Sequence, residues 1–221
     1  MEAEIDKKYL EPGEFMDSDS PEVIAWVDEV LGGKRGDQIG DLLTLYYAVR
    51  DGFRYNPYKL DFRPGSMKAS HLLGRNHGYC IEKANLFGAC ARIIGLPSRL
   101  GFANVRNHIG TDRFTKILKS DVLVFHGYTE IYANGKWVKA TPAFNKELCD
   151  LLGVELLEFN ANDDSVFQQF DKSGGRYMEY LHDYGTFADI PRELLLKEIK
   201  KHYAHFFDGA NWSAEGIDVK W

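Results

Sequence analysis

Cys80 is the residue of this chain that its surroundings in the sequence best suit to act as a nucleophile. It follows Gly78-Tyr79 directly and precedes a segment with the pattern of a long helix. A helix N-terminus lowers the pKa of a thiol through its unpaired N–H groups and its macrodipole, and the thiolate is the reactive form. The sequence therefore predicts a reactive thiol at the first turn of a helix, suited to attack on a carbonyl carbon.

A thiol nucleophile works with a base, and His126 is the strongest candidate among the seven histidines. It lies in a predicted strand, on the same face as Val124, Tyr128 and Glu130. An imidazole near the thiol would lower the thiol pKa further and carry the proton to a leaving group. We expect His126 to be the general base for Cys80.

Residues 121–141 contain the clearest hairpin pattern in the sequence. Two strand-like segments flank Asn134-Gly135, the residue pair that a two-residue type I′ turn requires. That turn places Glu130 opposite Lys139, and the opposite charges of this pair agree with the register. The pattern predicts an antiparallel pair of strands with His126 on the first strand.

The same register selects Thr141 as the residue that orients the His126 ring. Thr141 lies opposite Tyr128 and diagonal to His126, at about 7–8 Å between the backbones. Glu130 shares the His126 face, but it lies about 13 Å along the strand and is expected to pair with Lys139. A threonine hydroxyl can accept a hydrogen bond from the ring, but it brings no charge to stabilise an imidazolium.

Other polar groups could complete the site. Asn145 could orient the imidazole if the chain turns back after the second strand. The backbone N–H of Cys80 is the natural first donor to an oxyanion, and Asn76, His77 or Tyr79 could supply a second donor. The sequence does not choose among these three residues.

We expect neither a metal ion nor another cofactor. His77-x-x-Cys80, with His71 nearby, has a spacing compatible with metal ligands, but no matching second pair accompanies it. Cys90 and Cys149 are expected to be small buried core residues.

Two segments together resemble the transglutaminase-like superfamily of cysteine enzymes. In residues 78–102, Gly-Tyr-Cys opens the helix, and Gly-Leu-Pro-Ser-Arg leads into a strand. In residues 125–145, His126 lies on a strand paired with a second strand, and the similar region covers roughly residues 40–150. The resemblance implies a papain-like α+β fold in which the Cys80 helix packs on an antiparallel sheet. It also implies attack of the thiolate on an amide or ester carbonyl, through a thioester.

One position departs from the family pattern. The family usually has Trp-x-x-x-Asp-Pro where this chain reads WVKATP from Trp137 to Pro142, so Thr141 stands in place of the aspartate. The leading hypothesis is a cysteine-dependent hydrolase or acyltransferase that acts on a peptide or protein amide. The alternatives are a weakened or inactive peptide-binding module on the same fold, and a scaffold in which Cys80 is buried and inert.

The Cys80 helix is predicted to be amphipathic and to run to about Ile94. Cys80 falls on the apolar stripe, so its thiol should face the protein. Glu82 and Arg92 fall on the opposite side, and Lys83 lies near the edge of the apolar stripe, where its ammonium would reach solvent.

The rest of the sequence is expected to surround this helix within a single domain over residues 1–221, with a core at about 40–150. Its other elements are two helices within 20–52, a strand after Pro97, a short helix near 146–153, a strand near 154–159, and a C-terminal extension over 163–221 that contains a helix near 191–207. The loop 53–79 and the extension could form the walls of a groove at the site.

Composition and charge narrow the partners and the compartment. The 221 residues have a net charge of −6, which argues against nucleic acid or an anionic membrane as a partner. No segment approaches the ~18 apolar residues of a membrane span, and the N-terminal segment lacks the apolar core of a signal peptide. Three unevenly spaced cysteines do not make a disulfide framework. We expect a reducing, cytoplasmic location and a peptide or protein substrate, and the sequence leaves the oligomeric state open.

Overall fold

The computed structural model describes residues 5–108, 115–116, 118–166 and 178–207, together with the backbone of residues 212–213 and 216–218. The helices are α1 (Pro21–Val30), α2 (Gln38–Gly52), α3 (Ala69–Leu73), α4 (Cys80–Ile93), α5 (Lys146–Leu152) and α6 (Arg192–His202). The longer strands are β4 (Ser98–Asn107), β5 (Val122–Ala133), β6 (Lys136–Ala140) and β7 (Met178–Phe187), and the short strands are β1 (Arg54–Tyr55), β2 (Lys59–Leu60), β3 (His77–Gly78), β8 (Trp212–Ser213) and β9 (Gly216–Asp218). Over the described residues, none of the helices has the length and apolar character that crossing a bilayer requires.

The main sheet is antiparallel, with the strand order β6-β5-β4-β7, and α4 packs on one of its faces. Thr129 on β5 donates its hydroxyl to the Ala84 carbonyl of α4 at 2.8 Å. Ser98 on β4 donates its hydroxyl to the Gly88 carbonyl, also at 2.8 Å. The predicted α+β fold, with the Cys80 helix on an antiparallel sheet, is confirmed.

Helix α4 is buried on every side from Cys80 to Arg92, so the predicted solvent-facing side is wrong. Helices α1, α2 and α3 also pack against α4. Arg92 donates to the backbone carbonyls of Ser98, at 2.9 Å, and Ala188, at 2.5 Å. The polar side chains of α4 therefore find partners inside the protein instead of in solvent.

Lys83 is also fully buried, and the prediction that its ammonium reaches solvent is wrong. Its Nζ donates to the carbonyls of Arg50 (2.8 Å), Phe53 (2.7 Å) and Ala143 (2.8 Å). Burial lowers the pKa of Lys83 to about 7. Because these carbonyls belong to the end of α2 and to the segment after β6, Lys83 ties α4 to both.

Strands β5 and β6 have the predicted register, with Glu130 opposite Lys139. Asn134 and Gly135 have φ angles of 51° and 82°, which are the left-handed values of a type I′ turn. The Glu130 carboxylate lies nearer to Arg99 of β4, with 2.6 Å from Arg99 Nε, than to Lys139, at 3.9 Å. Arg99 is therefore the main partner of Glu130, and Lys139 is a secondary one.

The C-terminal half contains two secondary-structure errors of the sequence analysis. Residues 155–159, expected to form a strand, have no regular secondary structure. Residues 178–187, which belong to the expected C-terminal extension and had no predicted strand, form β7 and pair with β4 at the sheet edge. Helices α5 and α6 form where they were predicted. The end of the C-terminal extension, residues 208–221, lies largely outside the described residues.

Candidate active site

Cys80 is the first residue of α4, as the sequence predicts. The carboxylate of Glu82 accepts the Tyr79 N–H at 3.1 Å and pairs with Arg75 at 2.6 Å. A carboxylate at this position satisfies a backbone donor that the first helical turn leaves free. The Glu82–Arg75 pair therefore fixes the point at which the helix, and with it the thiol, begins.

The Cys80 thiol is a weaker acid than the sequence predicts. Burial raises its pKa to about 11, although the N–H groups of Gly127, Ile81 and Cys80 itself interact with the sulfur and lower the pKa. The Glu82 carboxylate raises the pKa a little further. The expected lowering by the helix N-terminus is present, but burial outweighs it, so the thiol is protonated at neutral pH.

His126 lies on β5 at the point where this strand meets the first turn of α4. The next residue, Gly127, packs on Ile81, since a Cβ at Gly127 would lie 3.1 Å from the Ile81 Cα. Gly127 therefore lies against the first turn of α4, and its N–H lowers the pKa of the Cys80 thiol. The side chains of Cys80 and His126 belong to different cavities.

A β-bulge directly precedes His126. The pairing of β4 with β5 shifts between Ala103 and Val105, and Phe125 has a left-handed φ of 61°. The side-chain oxygen of Asn104 accepts the Phe125 N–H at 3.0 Å and holds this conformation. A bulge changes the direction of the side chain that follows it. The left-handed conformation of Phe125 is unfavourable by about 1–3 kcal/mol. Nothing in the sequence marked this bulge.

His126 and Thr141 line one cavity, which has an empty volume of about 190 Å³. Both side chains are buried, and the Thr141 hydroxyl has no hydrogen-bond partner among the described residues. Burial lowers the pKa of His126 to about 4, so its ring is neutral at neutral pH. The cavity is also lined by Ala143, Phe144, Leu157, Val166 and Met178.

The side chain of Asn145 has partners of its own. Its oxygen accepts the Tyr55 N–H at 3.0 Å, and its nitrogen donates to the Glu147 carboxylate at 2.5 Å. These bonds hold the segment after β6 against β1. They favour Thr141 over Asn145 as the residue that orients His126.

The candidate oxyanion donors upstream of the thiol differ in their surroundings. The Asn76 side chain contacts the His77 ring at 3.1 Å on the exposed side of β3. The N–H of Tyr79 is taken by the capping carboxylate. The first-turn N–H groups of Cys80 and Ile81, which interact with the thiol, are better placed to meet an oxyanion.

Cys80 lines a second cleft, separate from the His126 cavity, with an empty volume of about 450 Å³. Its walls come from the first turn of α4, from β5, from the loop 53–79 and from α6 with the residue after it. The expected contribution of this loop and of the C-terminal extension to a groove is confirmed. The lining residues are Tyr55, Pro57, Leu60, Phe62, Tyr79, Cys80, Ile81, Leu118, Leu123, Val124, Phe125, Leu195, Ile199 and Tyr203.

The other two cysteines lie in the core. Cys90 is 0% exposed and Cys149 is 1% exposed, as the sequence predicts. Burial raises the pKa of the Cys90 thiol. Within the described ranges, no cluster of three or more His, Cys, Asp or Glu side chains could hold a metal ion.

Residues 24–142, more than half of the chain, match the family model of the Transglutaminase-like superfamily. A solved structure of a proposed cysteine protease from Cytophaga hutchinsonii is similar over 83% of this chain, with 14% sequence identity and a TM-score of 0.47. This chain spans 55% of the length of that protein. Among curated proteins, none matches the chain significantly.

Proposed function

Because this chain belongs to the transglutaminase-like superfamily, we propose that it is a cysteine-dependent hydrolase or acyltransferase that acts on a peptide or protein amide. The supporting observation is the close packing of Gly127, the residue after His126, on Ile81, the residue after Cys80. Thiol acyl transfer needs a nucleophile and a base, and this packing brings the backbones that carry Cys80 and His126 together.

The reaction has two halves, and Cys80 returns to its starting state. The Cys80 sulfur bonds to the amide carbonyl carbon, while the thiol proton passes to His126 and then to the departing amine. The C–N bond breaks and a thioester remains. Water or a second amine then attacks the thioester, and its proton passes through His126 to the sulfur as the C–S bond breaks.

Both reacting groups are neutral before a substrate binds. The thiol pKa is raised to about 11 and the imidazole pKa is lowered to about 4, so a thiolate–imidazolium pair does not form in advance. In the proposal, His126 therefore takes the proton while the sulfur attacks. The N–H groups of Cys80 and Ile81 stabilise the oxyanion.

Thr141 holds the ring in this proposal. Its buried hydroxyl has no partner among the described residues, and it lines the same cavity as His126. The hydroxyl can accept the imidazole N–H and fix the tautomer. It cannot stabilise the imidazolium as a carboxylate does, so turnover is slower than with an aspartate.

Acylation of the folded protein tests the proposal. The protein is treated with a 4-nitrophenyl ester and digested at acidic pH, and the acyl group is located by peptide mass. We expect a hydroxylamine-sensitive acyl group on Cys80, which is absent in Cys80→Ala. Equal labelling of Cys80, Cys90 and Cys149, or no acylation of Cys80 by any donor, would count against the proposal.

A peptide-binding module without turnover is the second candidate. It is favoured by the neutral resting state of both groups and by Thr141 in the place of the family aspartate. Thr141→Asp separates the two candidates, because a carboxylate beside His126 raises the imidazole pKa. Amidase activity in Thr141→Asp well above background indicates a weakened enzyme. Peptide binding without turnover in either form supports the binding module.

A further inference from the structure

Among the described residues, the cleft beside Cys80 offers no charged side chain to a ligand. Every described lining residue except Cys80 itself is apolar or aromatic. The Tyr203 hydroxyl is already engaged, because it accepts the Val124 N–H at 2.9 Å and donates to the Val122 carbonyl at 2.5 Å. An ionic group in this cleft would lose its hydration without gaining a partner.

The outer wall of the cleft comes from a part of the chain that the family match does not include. Leu195, Ile199 and Tyr203 recur every four residues, and each contributes to the lining. They are 0%, 4% and 3% exposed, respectively. The family match ends at residue 142, so it does not cover this wall.

The wall is held in place at both ends. Arg192, at the start of α6, donates to the Phe62 carbonyl at 2.9 Å. Before the helix, Asp189 accepts the N–H groups of Phe15 (3.0 Å) and Met16 (2.9 Å). At the far end, the Tyr203 hydroxyl bonds to β5. These hydrogen bonds therefore fix the position of the wall relative to the rest of the cleft.

We propose that this cleft binds the acyl group of the substrate, and that this group is an uncharged aliphatic or aromatic chain. The inference rests on the proposed function. Cys80 lines the cleft, so a chain seated in it lies beside the carbonyl carbon that Cys80 attacks in the proposed reaction. Leu195 and Ile199 set the depth of the cleft and select the length of the chain. Leu60 and Leu123 are only partly buried and form its mouth.

A series of acyl donors tests the preference. Rates of Cys80 acylation are compared for the 4-nitrophenyl esters of acetate, butyrate and hexanoate, and for the mono-ester of succinate, which carries a negative charge. Each buried methylene should raise the rate about fourfold until the cleft is filled. The succinate ester should react at least tenfold more slowly than butyrate. Equal rates, or a preference for the charged donor, would overturn the inference.

Two substitutions at one residue should move the preference in opposite directions. Ile199→Ala deepens the cleft and should favour longer acyl chains, whereas Ile199→Phe shortens it and should slow hexanoate at least tenfold while acetate changes less than threefold. Leu151→Ala is the matched control, since Leu151 is 81% exposed on α5. A general loss of folding would slow all donors together, and thermal denaturation detects it independently. An unchanged chain-length profile in both Ile199 variants contradicts the assignment.

Alkylation keeps the inference separate from the proposed function. N-alkylmaleimides of increasing chain length and iodoacetate react with a thiol without any catalysis. If no ester acylates Cys80, the proposed function fails, and the maleimide series still tests the cleft. Faster reaction of longer maleimides, relative to glutathione, would then support an apolar cleft. If esters acylate Cys80 without any chain preference, the inference fails and the proposed function stands.

Discussion

Two buried polar regions meet at the segment 141–143, and they differ in how their hydrogen-bonding groups are satisfied. The ammonium of Lys83 has three donors and meets three backbone carbonyls, at 2.7 to 2.8 Å. The Thr141 hydroxyl, beside the buried His126 ring, has no partner among the described residues. Ala143 belongs to both regions, because its carbonyl accepts from Lys83 and its side chain lines the His126 cavity.

The difference separates a structural role from a functional one. Buried polar groups in folded proteins are nearly always paired, and an unpaired buried group costs about 1–3 kcal/mol. Lys83 follows this rule and joins α4, the end of α2 and the segment after β6. Thr141 departs from it, at the position where the family resemblance implies an aspartate. We therefore infer a structural role for Lys83 and propose that the His126–Thr141 cavity serves the reaction.

Removal of the Lys83 ammonium should have the largest effect. Lys83→Met leaves three buried carbonyls without their donor, so the free energy of unfolding should fall by about 3 kcal/mol or more. Urea denaturation measures the change. Lys200→Met, on the exposed face of α6, is the control and should change stability by less than about 0.5 kcal/mol. If Lys83→Met were as stable as wild type, the three hydrogen bonds of Lys83 would not stabilise the fold.

The second prediction uses the acid sensitivity of His126. Burial lowers its pKa from 6.5 to about 4, so between these values the unfolded chain takes up a proton that the folded protein excludes. The contribution of the neutral ring to the free energy of unfolding is complete above pH 6.5. It is lost as the pH falls from 6.5 to about 4, and the loss amounts to about 3 kcal/mol. His126→Gln should abolish this part of the pH dependence. His182→Gln, at an exposed site, should keep it. Identical pH profiles for wild type and His126→Gln would show that the ring is not buried as described.

Gly127→Ala tests the contact between the thiol helix and β5. Its Cβ would lie 3.1 Å from both the Cα and Cγ1 of Ile81, so α4 has to shift. We expect a loss of about 1–2 kcal/mol in stability and slower acylation of Cys80. Gly52→Ala is the control, because no atom lies within 4 Å of a Cβ at that helix end. Its expected effect is a gain of about 0.5–1 kcal/mol. Unaltered acylation in Gly127→Ala would argue against a role of this contact in bringing the two reacting groups together.

The smallest expected change in stability is that of Thr141→Val. Because the Thr141 hydroxyl has no partner in the described structure, its removal should leave stability unchanged or raise it by about 1 kcal/mol or less. Acylation of Cys80 should nevertheless slow, since the His126 ring loses its orienting acceptor. Thermal denaturation and acylation rates measure the two effects. A large loss of stability would mean that the hydroxyl has a structural role, like Lys83.

Local signals in the sequence were sufficient for the elements that carry the site. Asn134-Gly135 determined the turn and the register that places Glu130 opposite Lys139. The Gly-Tyr-Cys segment and the spacing of apolar residues located the start of α4. These features depend on neighbouring residues or on a simple repeat, so they can be predicted from the amino-acid sequence alone.

Features that depend on distant contacts were missed. The carbonyls that accept hydrogen bonds from Lys83 lie 30 to 60 residues away in the sequence, and no local pattern predicts them. A helical wheel shows one apolar stripe on α4, but it cannot show that other helices cover the remaining sides. The pKa of Cys80 was misjudged for the same reason, since burial by α6 and the loop 53–79 outweighs the effect of the helix start. Strand β7, in which half of the residues are exposed and only one is buried, lacked an apolar pattern.

In the proposed reaction, His126 serves the Cys80 thiol during acyl transfer. The most direct test is the rate of Cys80 acylation by 4-nitrophenyl butyrate at pH 7.5 in wild type and in His126→Gln, each divided by its rate of alkylation with iodoacetamide. We expect this ratio to fall about 100-fold or more in His126→Gln, because general-base assistance is lost while the thiol stays accessible. A ratio within threefold of wild type would show that His126 is not the base for Cys80.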